Sequence, residues 1–564
     1  MIARTPRTRA RRARRITAVL GRALGAVVLL GMLAGCITIP TGGGVQSGPI
    51  LIEDGGDSLI DLPEGPAAGA SIADILVGFI RAGRGPQNLY RVAREFLADG
   101  VEWSPTERVR ITNSALLPVE VDGDTYSVAL AISAEVDSSG RYVEQESQQT
   151  FSFDFVQEDG EWRISSAPPG TFIPSGSFDR AFSSFPLYFF APGFDFLVPD
   201  LRWFPNTRGA ASRIVRELLA GPSPWLGSGV LVSAFPVGTA LETSFEPEAG
   251  RALVPLSPEV SAEPATAQRR MLQQLTASLL SLGNLQTVVI AVGGLPLSIT
   301  ESGAQPEQLY LVGPGPLGGA DSRFGVLRQD GVRPLDAVGT RADSLGAVAA
   351  ALDRAGTRLA VLGTAGVSLV GESGDPVLID PRPDLVAPTI DPYGWTWSVP
   401  AADPEGLIVI GPDGATALPL PLEGRVVSLE LSRDGARLLV GVETPSGPRV
   451  LLFGVIRDVD LVPVRLGVPI DLDIAAGDLV DVAWVDDLRV AVLRRGVDSS
   501  AVDVFEIGGK TVALDPLVDA VAIVGGNGLD GVRVLDGSGQ VLMPSTSGGW
   551  ADTGLRASFL AAQQ

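Results

Sequence analysis

The sequence predicts a multidomain chain in which two α+β domains lead into an all-β propeller of roughly six blades. Three observations predict this. The chain has 564 residues, too many for one hydrophobic core. Apolar spacing is helical and then strand-like in residues 67–180, mixed in 185–300, and strand-like alone in 306–564. That last stretch repeats at roughly the 40–45 residues of a four-stranded blade. A pair of β-sandwiches, the rival for it, would not require a repeat.

Residues 1–35 read as an export signal. Arg4, Arg7, Arg9, Arg11, Arg12, Arg14 and Arg15 form a positive stretch, Ala23 to Met32 a short apolar one, and Leu33-Ala34-Gly35-Cys36 follows. Small residues before the cleaved bond suit a signal-peptidase cleft. The apolar run falls short of the ~20 residues that span a bilayer. Leu-Ala-Gly-Cys resembles the bacterial lipobox residue for residue. The resemblance implies that the Cys36 thiol takes diacylglycerol, that the Gly35–Cys36 bond is cut, and that Cys36 is then N-acylated. Each buried methylene contributes ~0.8 kcal/mol, and two chains anchor stably where one does not. The alternatives are a plain secretory signal or an uncleaved anchor. The paired arginines before Ile16 also suit twin-arginine export, and the choice between that route and Sec stays open. Residues 36–66, rich in Gly, Pro and Asp from Thr38, read as a lipidated tether. Their Asp54-Gly55-Gly56-Asp57 lacks the ligand spacing of a calcium loop.

Charge narrows the partners. Eight of the 43 basic residues and none of the 65 acidic ones lie in residues 1–35, so removing the leader takes the net charge from -22 to -30. Such a surface repels phosphate backbones, which excludes nucleic acid as a partner. Mean hydropathy is +0.26, yet after Met32 every apolar run is broken within about a dozen residues by Gly, Pro or charge, as short buried strands would be.

In residues 67–180, Ser71 can cap a helix with Ile72, Ile75, Leu76, Phe79 and Ile80 on one face. A second helix is expected from Pro86 to Ala98, with Leu89, Val92, Ala93, Phe96 and Leu97 inward. The period then changes to two at Tyr126 to Ser133, Thr150 to Val156 and Trp162-Arg163-Ile164, giving an α+β domain. Its order, ending on an Asp-Gly-Glu-Trp-Arg-Ile hairpin, resembles the cone-shaped NTF2-like fold. Asp154, Glu158 and Glu161 read as the solvated side of that hairpin, and the domain as a spacer or binding module.

In residues 185–300, strand-like Leu187–Phe190 and Phe196–Val198 precede a helix from Ala210 to Ala220 that Gly221-Pro222 stops. Strands are expected near Leu231–Ala234, Ala240–Phe245 and Ala252–Leu256. A longer helix from Ala265 to Leu282 places Met271, Leu275 and Leu279 on one face, and Val288–Val292 closes the domain. The stretches Arg216-Glu217-Leu218-Leu219-Ala220-Gly221-Pro222, Ser233-Ala234-Phe235-Pro236-Val237-Gly238-Thr239 and Gly293-Gly294-Leu295-Pro296-Leu297 resemble the GerMN domain. None of their groups acts as a nucleophile, and only a binding or folding role suits them.

Residues 306–564 carry the repeat. Leu352-Asp353-Arg354-Ala355-Gly356-Thr357-Arg358-Leu359 is similar to Leu431-Ser432-Arg433-Asp434-Gly435-Ala436-Arg437-Leu438, with a looser copy from Ile390 to Trp397 and further copies at Val485 and Val524. The aligned turns at Gly356, Gly394, Gly435, Asp487 and Asn527 stand 38, 41, 52 and 40 residues apart. Two apolar strands flank each turn, as in a blade that buries its faces only against its neighbours. Gly313-Pro314-Gly315-Pro316 is no phosphate loop, because prolines remove the amide donors. Trp395 and Trp397 alternate, and are the candidate binding surface for a cell-wall glycan; blade core is the competing place for them.

Catalysis finds few tools. There is no histidine, the single cysteine is the lipid site, and Lys510 is the single lysine. Serine or cysteine triads and histidine-ligated zinc are therefore absent, no catalytic, metal or cofactor residues are assigned, and the chain is not read as an enzyme. Carboxylate pairs exist by chance among 65 acids and discriminate nothing.

The order lipobox, NTF2-like cone, GerMN domain, propeller resembles the actinobacterial LpqB lipoprotein family over essentially the whole mature chain. That resemblance implies an accessory protein on the outer face of the cell membrane. It would bind the extracellular domain of the MtrB sensor kinase and modulate the MtrAB two-component system, affecting cell-wall homeostasis and division. The alternative is a lipoprotein that binds peptidoglycan.

Overall fold

The computed structural model describes residues 63–563 apart from 87–89, 301, 302, 304, 309, 314 and 413. The signal peptide, the Gly35–Cys36 bond, Cys36 itself and the tether through residue 62 lie outside the described residues.

Helix Ile72–Ala82 begins where the sequence places it. Ser71 accepts a hydrogen bond from the Asp74 amide at 3.2 Å and completes a capping box with the Asp74 side chain. Ile75, Leu76, Phe79 and Ile80 are buried. The second helix is a correction: among the described residues of that span, only Arg91–Arg94 is α-helical. Tyr90, just before it, takes φ 59°, in the left-handed region that an α-helix does not use. Beyond Arg94, sheet hydrogen bonds win. The Ala98 amide donates to Ile164 O, and the Ile164 amide donates to Phe96 O. Ala93, Phe96 and Leu97 are buried all the same, and Leu89 lies outside the described residues.

These helices pack on a six-stranded sheet of β1 (Arg108–Ile111), β2 (Val119–Asp122), β3 (Thr125–Asp137), β4 (Tyr142–Glu158), β5 (Glu161–Ser166) and β6 (Thr171–Ile173). Its order is β5-β4-β3-β1-β6, with β2 also on β3. Register shifts in β3 and β4 mark bulges, which bend such a sheet. Glu158 and Glu161 accept hydrogen bonds from the amides of Asp99 and Gly69, tying the hairpin to the helical side.

The next module opens with an antiparallel hairpin, β7 (Phe182–Phe190) and β8 (Leu197–Pro205). Both strands run longer than the sequence predicts, and β8 is buried along its whole length. Helix Ala210–Ala220 matches its expected span, and helix Ala265–Leu280 buries Met271, Leu275 and Leu279 completely. Strands β9 (Arg251–Leu256) and β10 (Thr287–Val292) pair in parallel. The strands expected near 231–234 and 240–245 are single bridges, Val232 to Phe190 and Leu241 to Leu256. Pro236 and Gly238 between them interrupt any ladder.

The propeller has six blades. Five are continuous four-stranded units, in residues 349–380, 389–417, 425–466, 478–513 and 520–556. The sixth joins both ends of the module: Phe559–Gln563 is its innermost strand and pairs with Leu317–Ala320, outside which lie Arg323–Arg328 and Gly331–Pro334. The innermost strands neighbour one another in cyclic order and close the ring. All five repeat turns join the first and second strands of a blade. Asp353, Asp391, Asp434 and Asp486 hold these turns by accepting backbone amides, and Gly435 takes φ 70°. The long interval of 52 residues reflects the third blade, whose strand Gly447–Arg457 pairs with Pro463–Leu466 and also with Ile470–Leu472.

Candidate interaction surface

Alternating strand direction gives the propeller two unlike faces. Turns between first and second strands, and between third and fourth, share one face. Turns between second and third strands, and the connectors between blades, share the other.

The first face is occupied by the rest of the chain. The ring of Phe196 packs against Tyr310 at 5.9 Å and edge-on against Tyr393 at 5.8 Å. Arg433 donates to Tyr310 O at 3.0 Å, and the Arg354 guanidinium lies 5.7 Å from the Tyr310 ring. Ala436 and Ile456 share one apolar core with Ile214, Leu218 and Met271. The loop from Ile507 to Thr511 reaches both earlier modules. The Trp203 indole donates to Gly508 O at 2.9 Å, Thr511 Oγ1 donates to Glu144 at 2.6 Å, and Lys510 pairs with Asp179 above Phe178 and Trp203. The chain's one lysine is a fastener between modules.

Beneath that face lie two ion pairs withdrawn from water. Arg457 meets Asp391 at 2.7 Å, and Arg437 meets Asp434 at 2.5 Å while lying 4.7 Å from the Trp484 ring. All four side chains are at most 1% exposed.

Among the described residues, neither earlier module covers the opposite face. Val348, Val497 and Val518 are exposed on its connectors and turns. A cleft of about 530 Å3 opens there among Asp384, Arg425, Glu443 and Asp478, floored by Val386 and Leu479. Asp384 and Arg425 form a two-pronged pair at 2.9 and 3.1 Å. Exposed apolar side chains and an acidic, concave cleft on one face suit contact with another protein's surface. Chemistry is another matter: no group of three or more potential metal ligands occurs among the described residues.

Around the axis, carboxyl groups latch one inner strand to the next. Glu430 accepts the Trp484 amide at 2.8 Å, and Asp481 accepts the Ile523 amide at 3.0 Å. Burial pushes Glu430 up to about 8 and Asp481 up to about 6, each only partly offset by those hydrogen bonds. Each group therefore keeps a proton in the folded chain that the unfolded chain releases. The associated stability is full below the ordinary carboxyl range and is lost as pH rises from there to about 8 for Glu430 and about 6 for Asp481. Glu430→Gln keeps the acceptor oxygen and removes the titration. Denaturant unfolding should fall less between pH 5 and pH 8 for this variant than for the parent; equal slopes would remove Glu430 as the cause.

The tryptophan platform expected from the sequence is corrected. Trp397 is 0% exposed, inside the core of the second blade. Trp395 is half-buried and lies on Gly411, where a Cβ would come within 2.0 Å of its ring. Strand alternation leaves Trp397 unexposed, because both blade faces are covered by neighbouring blades. Sequence reasoning missed the joint of Tyr310, Arg433, Trp203 and Lys510, whose one visible signal was a lone lysine.

Three modules fastened together, the last a closed propeller with one face taken and the other uncovered among the described residues, define a multidomain propeller protein built for recognition. Family models match in the same order. "Lipoprotein LpqB, N-terminal domain" covers residues 65–179, "Sporulation and spore germination" covers 186–298, and "Lipoprotein LpqB beta-propeller domain" covers 323–554. The chain belongs to the LpqB lipoprotein family. It is 29% identical to Lipoprotein LpqB of Streptomyces coelicolor over 86% of this chain and 87% of that one. With Lipoprotein LpqB of Cutibacterium acnes it is 33% identical over 48% of this chain and 46% of that one, so this second match spans under half of the relative's length. Among solved structures it is similar to putative TolB from Agrobacterium tumefaciens, at 13% identity and a TM-score of 0.29, over 38% of this chain and 80% of that one. That likeness carries no functional argument.

Proposed function

We propose that this protein is a lipid-anchored, extracytoplasmic and non-catalytic regulator whose propeller docks on the extracellular domain of the MtrB sensor kinase. Through that contact it would modulate the MtrAB two-component system, and with it cell-wall homeostasis and division. The observation that carries a docking role is the propeller face left uncovered among the described residues, which bears exposed valines and an acidic cleft. The kinase is named by the family resemblance, and the anchor by the lipobox at Cys36. No helix among the described residues is long and apolar enough to cross a membrane. A regulator of this kind acts by binding one state of the kinase more tightly than the other. Tenfold discrimination requires only about 1.4 kcal/mol.

The test uses the full chain in cells. Val497→Glu with Val518→Glu alters two exposed side chains, so folding should be unchanged while cross-linking to the kinase falls about tenfold, a loss of about 1.4 kcal/mol. Cys36→Ser should move the protein from the membrane to the soluble fraction. Undiminished cross-linking by the valine variant would discard this face as the docking surface. Parent-like membrane fractionation by Cys36→Ser would discard the anchor.

A further inference from the structure

Away from the propeller, a cavity of about 200 Å3 lies where the first module meets helix Ala210–Ala220 of the second. The β3–β4 turn, including Asp137 and Gly140, forms one wall, and Tyr90 and the helix residues Arg213 and Glu217 project into it.

Three polar groups there are not hydrogen-bonded. Among the described residues, the Tyr90 hydroxyl, the Arg213 guanidinium and the Glu217 carboxylate make no hydrogen bond or ion pair. Tyr90 is only 5% exposed, with its ring packed edge-on against Trp103 at 6.0 Å. Its hydroxyl therefore borders the cavity and little else. The neighbouring polar groups are already engaged: Arg202, the foremost charge acting on Glu217, donates to Asp200 and Ser139 O, Asp137 holds Ser139 and Arg141, and Arg216 donates to Ser244.

Arg213 and Glu217 stand four residues apart on one helix, where opposite charges ordinarily meet. Arginine preceding the acid is the weaker order, and the pair has not closed. Tyr90 also holds a left-handed backbone, a cost that a non-glycine residue accepts where its side chain must be placed. A half-buried cation and a half-buried anion on one helix, neither hydrogen-bonded, are matched by a ligand that carries both charges. Arg202, Arg213 and Arg216 act on Glu217 through space, yet a simple anion would still leave its carboxyl without a hydrogen bond, and a simple cation would leave Arg213 so, each at a desolvation cost.

We propose that this cavity binds a zwitterionic α-amino-acid centre, its carboxylate held by Arg213 and the Tyr90 hydroxyl and its ammonium held by Glu217. The volume admits a few heavy atoms and no polymer chain. The centre could belong to a free amino acid or project from the side chain of a peptide. This site is independent of the propeller face and of the kinase.

Isothermal titration of the full chain in detergent would use L-alanine and D-alanine as free probes and a peptide with a diaminopimelate side chain as the tethered one. Propionate and ethylamine, each with one of the two charges, serve as controls. Saturable binding is expected for alanine or for the peptide, whichever source the site takes, with both controls at least about tenfold weaker. Arg213→Gln should weaken that binding about tenfold, and Glu217→Gln should let propionate bind as well as alanine. Tyr90→Phe leaves the ring against Trp103, so weaker binding by that variant is not a failure to fold. The proposal is overturned if no zwitterion binds, if propionate matches alanine on the unaltered chain, or if all three variants bind as the parent does.

Discussion

Asp391→Ala should destabilise the propeller by about 3–5 kcal/mol, the usual cost of leaving one member of a buried ion pair alone. Asp391 does two jobs. One carboxylate oxygen accepts the amides of Tyr393 and Trp395 at 3.1 and 2.8 Å, closing the turn of the second blade. The other accepts Arg457 from the third blade at 2.7 Å. Arg457 also donates to Gly435 O and Leu461 O and lies 4.6 Å from the Tyr393 ring, so its cation is surrounded by protein. Without the carboxylate, that charge faces only carbonyl dipoles and an aromatic ring. Tyr393 meets Phe196 across the joint, so the loss should also loosen the propeller from the preceding module. Asp471→Ala is the control, because its pair with Arg449 is about half exposed and should cost at most about 1 kcal/mol. Denaturant unfolding of both variants decides the matter. Equal losses would mean that the buried pair fastens nothing.

The reach of the sequence follows the range of the interactions. Helix Ala210–Ala220 was legible to the residue because its apolar spacing and its Gly221 stop are local. The five blade turns were legible for the same reason: aspartate and glycine act within a few residues of themselves. The closure of the sixth blade was not, since Leu317–Ala320 meets Phe559–Gln563 with no turn between them to leave a signal. The fastening of Trp203 to Gly508 spans 305 residues and uses a backbone acceptor, which any residue supplies. The helix expected from Pro86 to Ala98 failed because apolar spacing reports which residues face inward, while the pull of β5 on Phe96 and Ala98 decided their backbone. Of the candidate site, the cleft and the exposed valines come from separate blades, and no local pattern brings them together.

Trp397→Ala is the second large effect, and it separates core from surface. The ring sits at 0% exposure among Val399, Leu407, Val409, Leu418 and Leu429. Truncating a buried tryptophan leaves a cavity and costs about 3–5 kcal/mol. Its indole N–H finds no acceptor in the blade, so Trp397→Phe removes an unsatisfied donor along with some volume. That variant should keep most of the stability that the alanine loses. Trp395→Ala should cost less than Trp397→Ala, because Trp395 is only half-buried and rests on Gly411. Measured on the folded fraction, retention on isolated peptidoglycan should not distinguish any of the three variants from the parent. A Trp397→Ala chain that unfolds like the parent but loses that retention would place the ring at the surface, and with it the glycan reading of this propeller.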